Sequence, residues 1–186
     1  MAVPEWWYVL LHPRPAYLIV SGSGEDVGVM TASWVMPVAE EPPRLAVAMD
    51  KEGHTYSLLR QAGEFTVNVV FDDHLEALWL AGTLSGWRVK DKLRRAGIKV
   101  TSSKKVSVPR VADAAAVIEC RLWQALDVGE TALVIGDVLD AYVLATEAFN
   151  EAYGWVLGKA KIPLHLSGRA FTLPGKLLLA GKQRRQ

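Results

Sequence analysis

The stretch that decides the fold is TASWVMPVAEEPPRLAVAMDKEGHT, residues Thr31–Thr55. It contains two apolar, β-rich runs separated by an acidic turn with a double proline, which cannot continue a strand ladder. The second run, RLAVAMD, breaks into the charged, glycine-containing loop DKEGH, and a helical pattern begins there. Gly53 permits a tight backbone path. Thr55 is suited to cap the helix TYSLLRQAG, whose apolar stripe is Leu58, Leu59 and Ala62 and whose stop is Gly63. A helix start offers unpaired N–H groups and partial positive charge. With the hydroxyls of Thr55 and Ser57 and the ammonium of Lys51 close by, that makes a phosphate pocket. A simple cap at Thr55 explains the same residues. Upstream, Thr31, Ala32 and Ser33 are successive small residues before Trp34, a pattern that lets a flat ligand approach the backbone or a helix pack closely.

Outward from this block the chain continues as short strands. AYLIVS (16–21) follows HPRP, and SGSGED turns it into VGVMTASWVMPV, read as one long strand. FTVNVVF (65–71) is a further strand. HLEALWLAG (74–82) and VKDKLRRAG (89–97) read as helices. After Pro109, AAAVIECRLWQALDV and TALVIGDVLDAYVLA form a long hairpin joined by Gly-Glu. Both exceed an average strand, so bending or bulging is expected. Short strands with inserted rather than alternating helices point to a mainly β protein, a closed or partly closed antiparallel barrel, within a single domain spanning residues 1–186.

Composition narrows the function. With 51% apolar and 22% charged residues the chain is globular, and a formal net charge of +1 argues against nucleic acid as main partner. No acidic residue follows Glu151, whereas seven basic ones do, ending in KQRRQ. This is a solvated tail or a contact for an anionic ligand or an acidic neighbouring subunit. The single cysteine, Cys120, excludes an internal disulfide and a cysteine-based zinc site, and reads as a core residue. The four histidines show no metal-ligand spacing. There is no signal-peptide pattern and no apolar run long enough to span a membrane, so a cytoplasmic address is expected. Hydrolase, nucleotide-loop and metalloprotease motifs are absent, which leaves the hard chemistry to a bound cofactor.

The order and spacing of these segments resemble the flavin reductase-like family of FMN-binding split β-barrels, which includes flavoredoxins and ferric reductases. The resemblance runs from HPRPAYLIVS to PLHLSGRAF. It is carried by the quoted block, GEFTVNVV, SGWRVKDKL, AVIECRL and VGETALVIGDV. It implies that Thr31, Ala32, Ser33 and Trp34 line the isoalloxazine ring. It also implies that Asp50, Lys51, His54, Thr55 and Ser57 build the ribityl-phosphate pocket, with Ser85, Gly86 and Lys92 approaching the phosphate. Trp79 and Trp87 would shield the cofactor's edge. NAD(P)H as reductant, a homodimer with flavin near the subunit interface, and electron delivery to free flavin, ferric iron or a protein acceptor follow from the same resemblance. One position departs. Many active members of the family carry a histidine in the turn of the long hairpin, where this chain reads GETAL with Thr131. That change favours an electron carrier reduced by a protein partner, unless His165 near the C-terminus compensates.

Overall fold

The computed structural model describes residues 3–180; the basic end KQRRQ, on which one of the readings above rests, lies outside the described residues. Seven strands form one antiparallel sheet: β1 Tyr17–Ser23, β2 Asp26–Ala32, β3 Val35–Ala39, β4 Arg44–Asp50, β5 Glu64–Val69, β6 Ala116–Asp127 and β7 Thr131–Val143. Their spatial order is β2-β1-β5-β6-β7-β4-β3.

The two edge strands, β2 and β3, are consecutive in the chain and are joined only by Ser33 and Trp34. Laid flat, seven strands would hold those edges roughly 29 Å apart, at about 4.8 Å per spacing. Two linking residues span no more than about 10 Å. The sheet therefore curls until its edges approach each other without closing the ladder. This is a split barrel, and it corrects the expectation of one continuous strand over VGVMTASWVMPV. The break sits at Ser33–Trp34, where the Trp34 carbonyl accepts a hydrogen bond from the Ala48 N–H at 3.0 Å.

Alternation along the strands separates two cores. Leu18, Val20 and Val29 pack on the outer layer with Leu78, Ala81, Ala96 and Ile98. Ile19, Val47, Met49, Phe65, Val67 and Val134 fill the inside of the curl together with Leu59. Leu59 comes from α1, His54–Ala62, which plugs the barrel and ends at Gly63 in the left-handed conformation at φ 69°. The long β6–β7 hairpin carries register shifts at Ile135/Gly136 and Val138/Asp140. Gly136 is required there, because a Cβ would lie 2.7 Å from the Phe65 ring. Helix α2, Leu75–Thr83, lies on β2. The segment read as a helix over 89–97 is helical only as α3, Lys92–Arg95, since Gly97 adopts a positive φ and Asp91 ties back to Arg94 and Arg95. A last hairpin, β8 Leu164–Ser167 and β9 Ala170–Thr172, pairs with Arg14–Pro15. Among the described residues no helix is long and apolar enough to cross a membrane.

Candidate cofactor cleft

The curl brings the start of α1, the end of α2 and the loop before α3 against one end of β2. Between them lies a cleft of about 240 Å³. Its walls include Thr31, Asp50, His54, Thr55, Ser85, Gly86 and Lys92. Seven residues singled out from four separate stretches of sequence thus meet in one place.

Helix α1 is capped by Gly53, not by Thr55, and no side chain accepts its first N–H groups. Thr55 is the second helical residue, 4% exposed, so the expectation of a capping role is overturned. The reason is steric: Gly28 of β2 lets the helix approach so closely that a Cβ there would sit 3.1 Å from the Thr55 Oγ1. The hydroxyl has no hydrogen-bond partner among the described residues and lines the cleft. His54 is fixed from both sides: its Nε2 stands 3.2 Å from Asp26 Oδ1, and Trp87 meets its ring edge-on at 4.7 Å between centroids. Trp87 Nε1 donates to the Glu52 carbonyl at 2.8 Å, closing the Ser85–Trp87 loop over the helix start. That loop needs Gly86, where a Cβ would fall 2.6 Å from His54 Nδ1.

Lys92 supplies the charge. It is 9% exposed, and its ammonium has neither a salt bridge nor a hydrogen bond among the described residues. Burial pulls its pKa down from 10.5 to about 8, because the charged form is poorly solvated there. An unpaired, desolvated cation beside two hydroxyls and an uncapped helix start is a site built for an anion. The two acids that line the cleft, Asp50 and Glu52, form no ion pair with it among the described residues, and Asp50 accepts the Glu52 N–H at 2.9 Å.

A second arm of about 240 Å³ shares Thr31, Gly82 and Thr83 with the first and adds Ser33, Trp79, His165, Gly168 and Phe171. Thr31 Oγ1 donates to the Leu78 carbonyl at 2.6 Å, holding β2 on α2. Its walls are flatter and more aromatic, with His165 and Phe171 centroids 5.0 Å apart.

Several residues singled out from the sequence do not line either arm. Ala32 faces the inner core at 5% exposure, on the side of β2 opposite to Thr31. Trp34 packs edge-on against Tyr8 at 5.5 Å. Lys51 is held by Asp127 at 2.7 Å, and Ser57 sits one turn on, taking a bond from Gln61 at 3.3 Å. Thr131 pairs with Asp50 across β7 and β4, one strand from the cleft. Conversely, Gly82, Thr83, Leu84 and Phe171 are wall residues that sequence reading passed over. The composition of LWLAGT announces a helix and nothing about what its end faces.

The family model of the flavin reductase like domain matches residues 9–170. The chain belongs to that family. It is 37% identical over 163 residues to an uncharacterized protein of Archaeoglobus fulgidus, covering 87% of this chain and 89% of that protein. It is similar, at 28% identity over 149 residues, to a ferric-chelate reductase (NAD(P)H) of the same organism, with 79% and 86% of the two chains covered. Among solved structures, flavoredoxin from Methanosarcina acetivorans superposes with a TM-score of 0.82 at 20% identity, covering 99% of this chain and 96% of that one. The likeness to flavoredoxin is one of fold.

Proposed function

We propose that this flavin reductase-like chain binds FMN in the two-armed cleft and works as an NAD(P)H-dependent reductase delivering electrons to an acceptor such as free flavin or ferric iron. The observation that carries the reading is Lys92, a buried side chain that lines the cleft beside the start of α1 and whose ammonium has no anionic partner among the described residues. The fit is chemical: hydroxyls of Thr55 and Ser85, uncapped N–H groups and Lys92 match a phosphate, while the arm lined by Thr31, Ser33, Trp79 and Phe171 matches a flat aromatic ring. When bound, FMN supplies the acceptance and release of electron pairs that no side chain here provides.

The residues of the chain do the positioning. Thr55, Ser85 and Lys92 would hold the anionic end under the loop that His54 and Trp87 close, and the backbone from Thr31 to Ser33 would border the ring. His165 and Trp79 border the wide end, where a nicotinamide would approach. The ferric-chelate reductase of Archaeoglobus fulgidus supports the choice of reductant and acceptor. The chain acts as a homodimer in this reading. Exposed Trp34, Met36 and Val38 adjoin an apolar groove lined by Val35, Pro37, Leu45, Val138 and Trp155, a face suited to a second copy.

A second reading, an electron carrier reduced by a protein partner, is favoured by Thr131, which stands at the end of the hairpin turn, where many active family members carry histidine. Anaerobic stopped-flow mixing of FMN-loaded protein with NADH and with NADPH separates the two. Loss of the flavin's visible absorbance within ~1 s makes the chain a reductase. Persistence of colour with both nucleotides, alongside full reduction by dithionite, makes it a carrier.

A further inference from the structure

The charge of the molecule is strongly segregated. Residues 88–110 contain nine basic residues and one acid, Asp91, while the rest of the chain carries twelve basic and nineteen acidic residues. Folding turns this segment into one outer layer. Its apolar residues Leu93, Ala96, Ile98 and Val100 pack on the outer core, and Val106 and Val108 are buried. Arg88, Lys90, Arg94, Arg95, Lys99, Lys104 and Lys105 are left exposed. The layer is pinned, because the Lys104, Lys105 and Val106 N–H groups all donate to buried Glu119 and the Ser107 N–H donates to Glu64. Asp91 pairs with Arg94 and Arg95; the side chains of Lys90, Lys99 and Lys105 have no ion pair among the described residues. The layer starts where the cleft ends, since Trp87 and Lys92 line that cleft.

We infer that residues 88–110 form a docking face for an acidic, one-electron electron-transfer protein, which approaches the cleft over the Ser85–Lys92 loop. The inference rests on the second reading above, in which a protein reduces the bound flavin. A cationic face of this kind steers an acidic partner and gives fast, short-lived, salt-sensitive encounters. Nucleic acid fits it poorly. The segment has no aromatic residue for stacking bases and no helix longer than four residues to enter a groove. A membrane surface fits no better, because none of the exposed large apolar residues falls within the segment. Each encounter oxidises the partner's redox centre by one electron. Two encounters, with protons taken from water, supply the electron pair that one flavin accepts.

The test measures binding of a fluorescently labelled acidic plant-type ferredoxin to the chain, with and without FMN, by anisotropy. Affinity should fall at least tenfold between ~20 and ~200 mM NaCl, as screening shortens the reach of the face. Lys90→Glu with Lys99→Glu and Lys105→Glu should cause a similar loss at low salt while FMN affinity stays within about twofold of wild type. Salt-independent binding, an unaffected triple variant, absence of ferredoxin binding, or tighter binding of a short DNA duplex would each overturn the proposal. Because the cofactor-free chain is measured too, a protein that binds ferredoxin but no FMN refutes the flavin reading and leaves the docking face standing.

Discussion

Replacing Lys92 by methionine removes the ammonium and keeps the apolar stem that its burial already packs. Two effects of opposite sign follow. In the cofactor-free protein, the pKa of Lys92 stands at about 8 instead of 10.5, so at neutral pH the charged form is held against its preference. At about 1.4 kcal/mol per pKa unit, the full depression corresponds to about 3 kcal/mol, an upper limit for a side chain that still reaches the cleft. Lys92→Met should therefore stabilise the apo protein by about 1–3 kcal/mol, raising Tm by several degrees in calorimetry. With FMN the same change deletes a charge-assisted bond to phosphate worth about 1.5–3 kcal/mol, so Kd should rise roughly 10- to 150-fold. Riboflavin, which lacks the phosphate, should bind within about twofold of wild type. Fluorescence titration of both flavins, beside the melting curves, reads all three quantities. Equal losses for FMN and riboflavin, or a fall in apo Tm, would refute the assignment of Lys92 to the phosphate.

The pH dependence has a definite sign. A lysine whose folded pKa is depressed is protonated more strongly when unfolded, so the apo protein gains stability as pH rises from about 8 toward 10.5. FMN affinity runs the other way, falling up to about tenfold per unit above pH 8, while riboflavin affinity stays flat; titrations across that range check both. Gly86→Ala places a methyl 2.6 Å from His54 Nδ1 and should push the Ser85–Trp87 loop outward, costing about 1–3 kcal/mol in stability and weakening FMN several-fold, by denaturation and titration. Thr131→His should raise the rate of NAD(P)H oxidation in steady-state assays, and an unchanged rate would show that hydride transfer is organised away from the hairpin turn.

Local signals explain why much of the fold was legible in the sequence. Gly63 does end α1, because only a residue tolerant of positive φ closes that helix where β5 begins at the next residue. RLAVAMD is β4 end to end, bounded by prolines and by Gly53. What escaped reading depends on residues far apart in the chain. Nothing in VGVMTASWVMPV marks Ser33–Trp34 as the crossing between the two sheet edges, since that break is imposed by barrel curvature. Lys51 looked like a phosphate ligand from its neighbours, yet Asp127, distant in sequence and adjacent in space, holds it. Thr55 looked like a cap because the pattern fits one, but the close approach permitted by Gly28 turns its hydroxyl into a wall residue. Lys92 lies in a charge-rich run that by itself reads as a solvated face; the family resemblance sets it near the phosphate, and the fold adds that this one cation is buried.

The most direct test of the account is the ratio of FMN to riboflavin affinity in the wild-type protein at pH 7, measured by titration of the cofactor-free chain. An anion site built from Lys92, Thr55, Ser85 and the start of α1 predicts FMN binding at least about 30-fold tighter, the equivalent of about 2 kcal/mol. Riboflavin binding as tightly as FMN, or neither flavin binding at micromolar concentration, would contradict it.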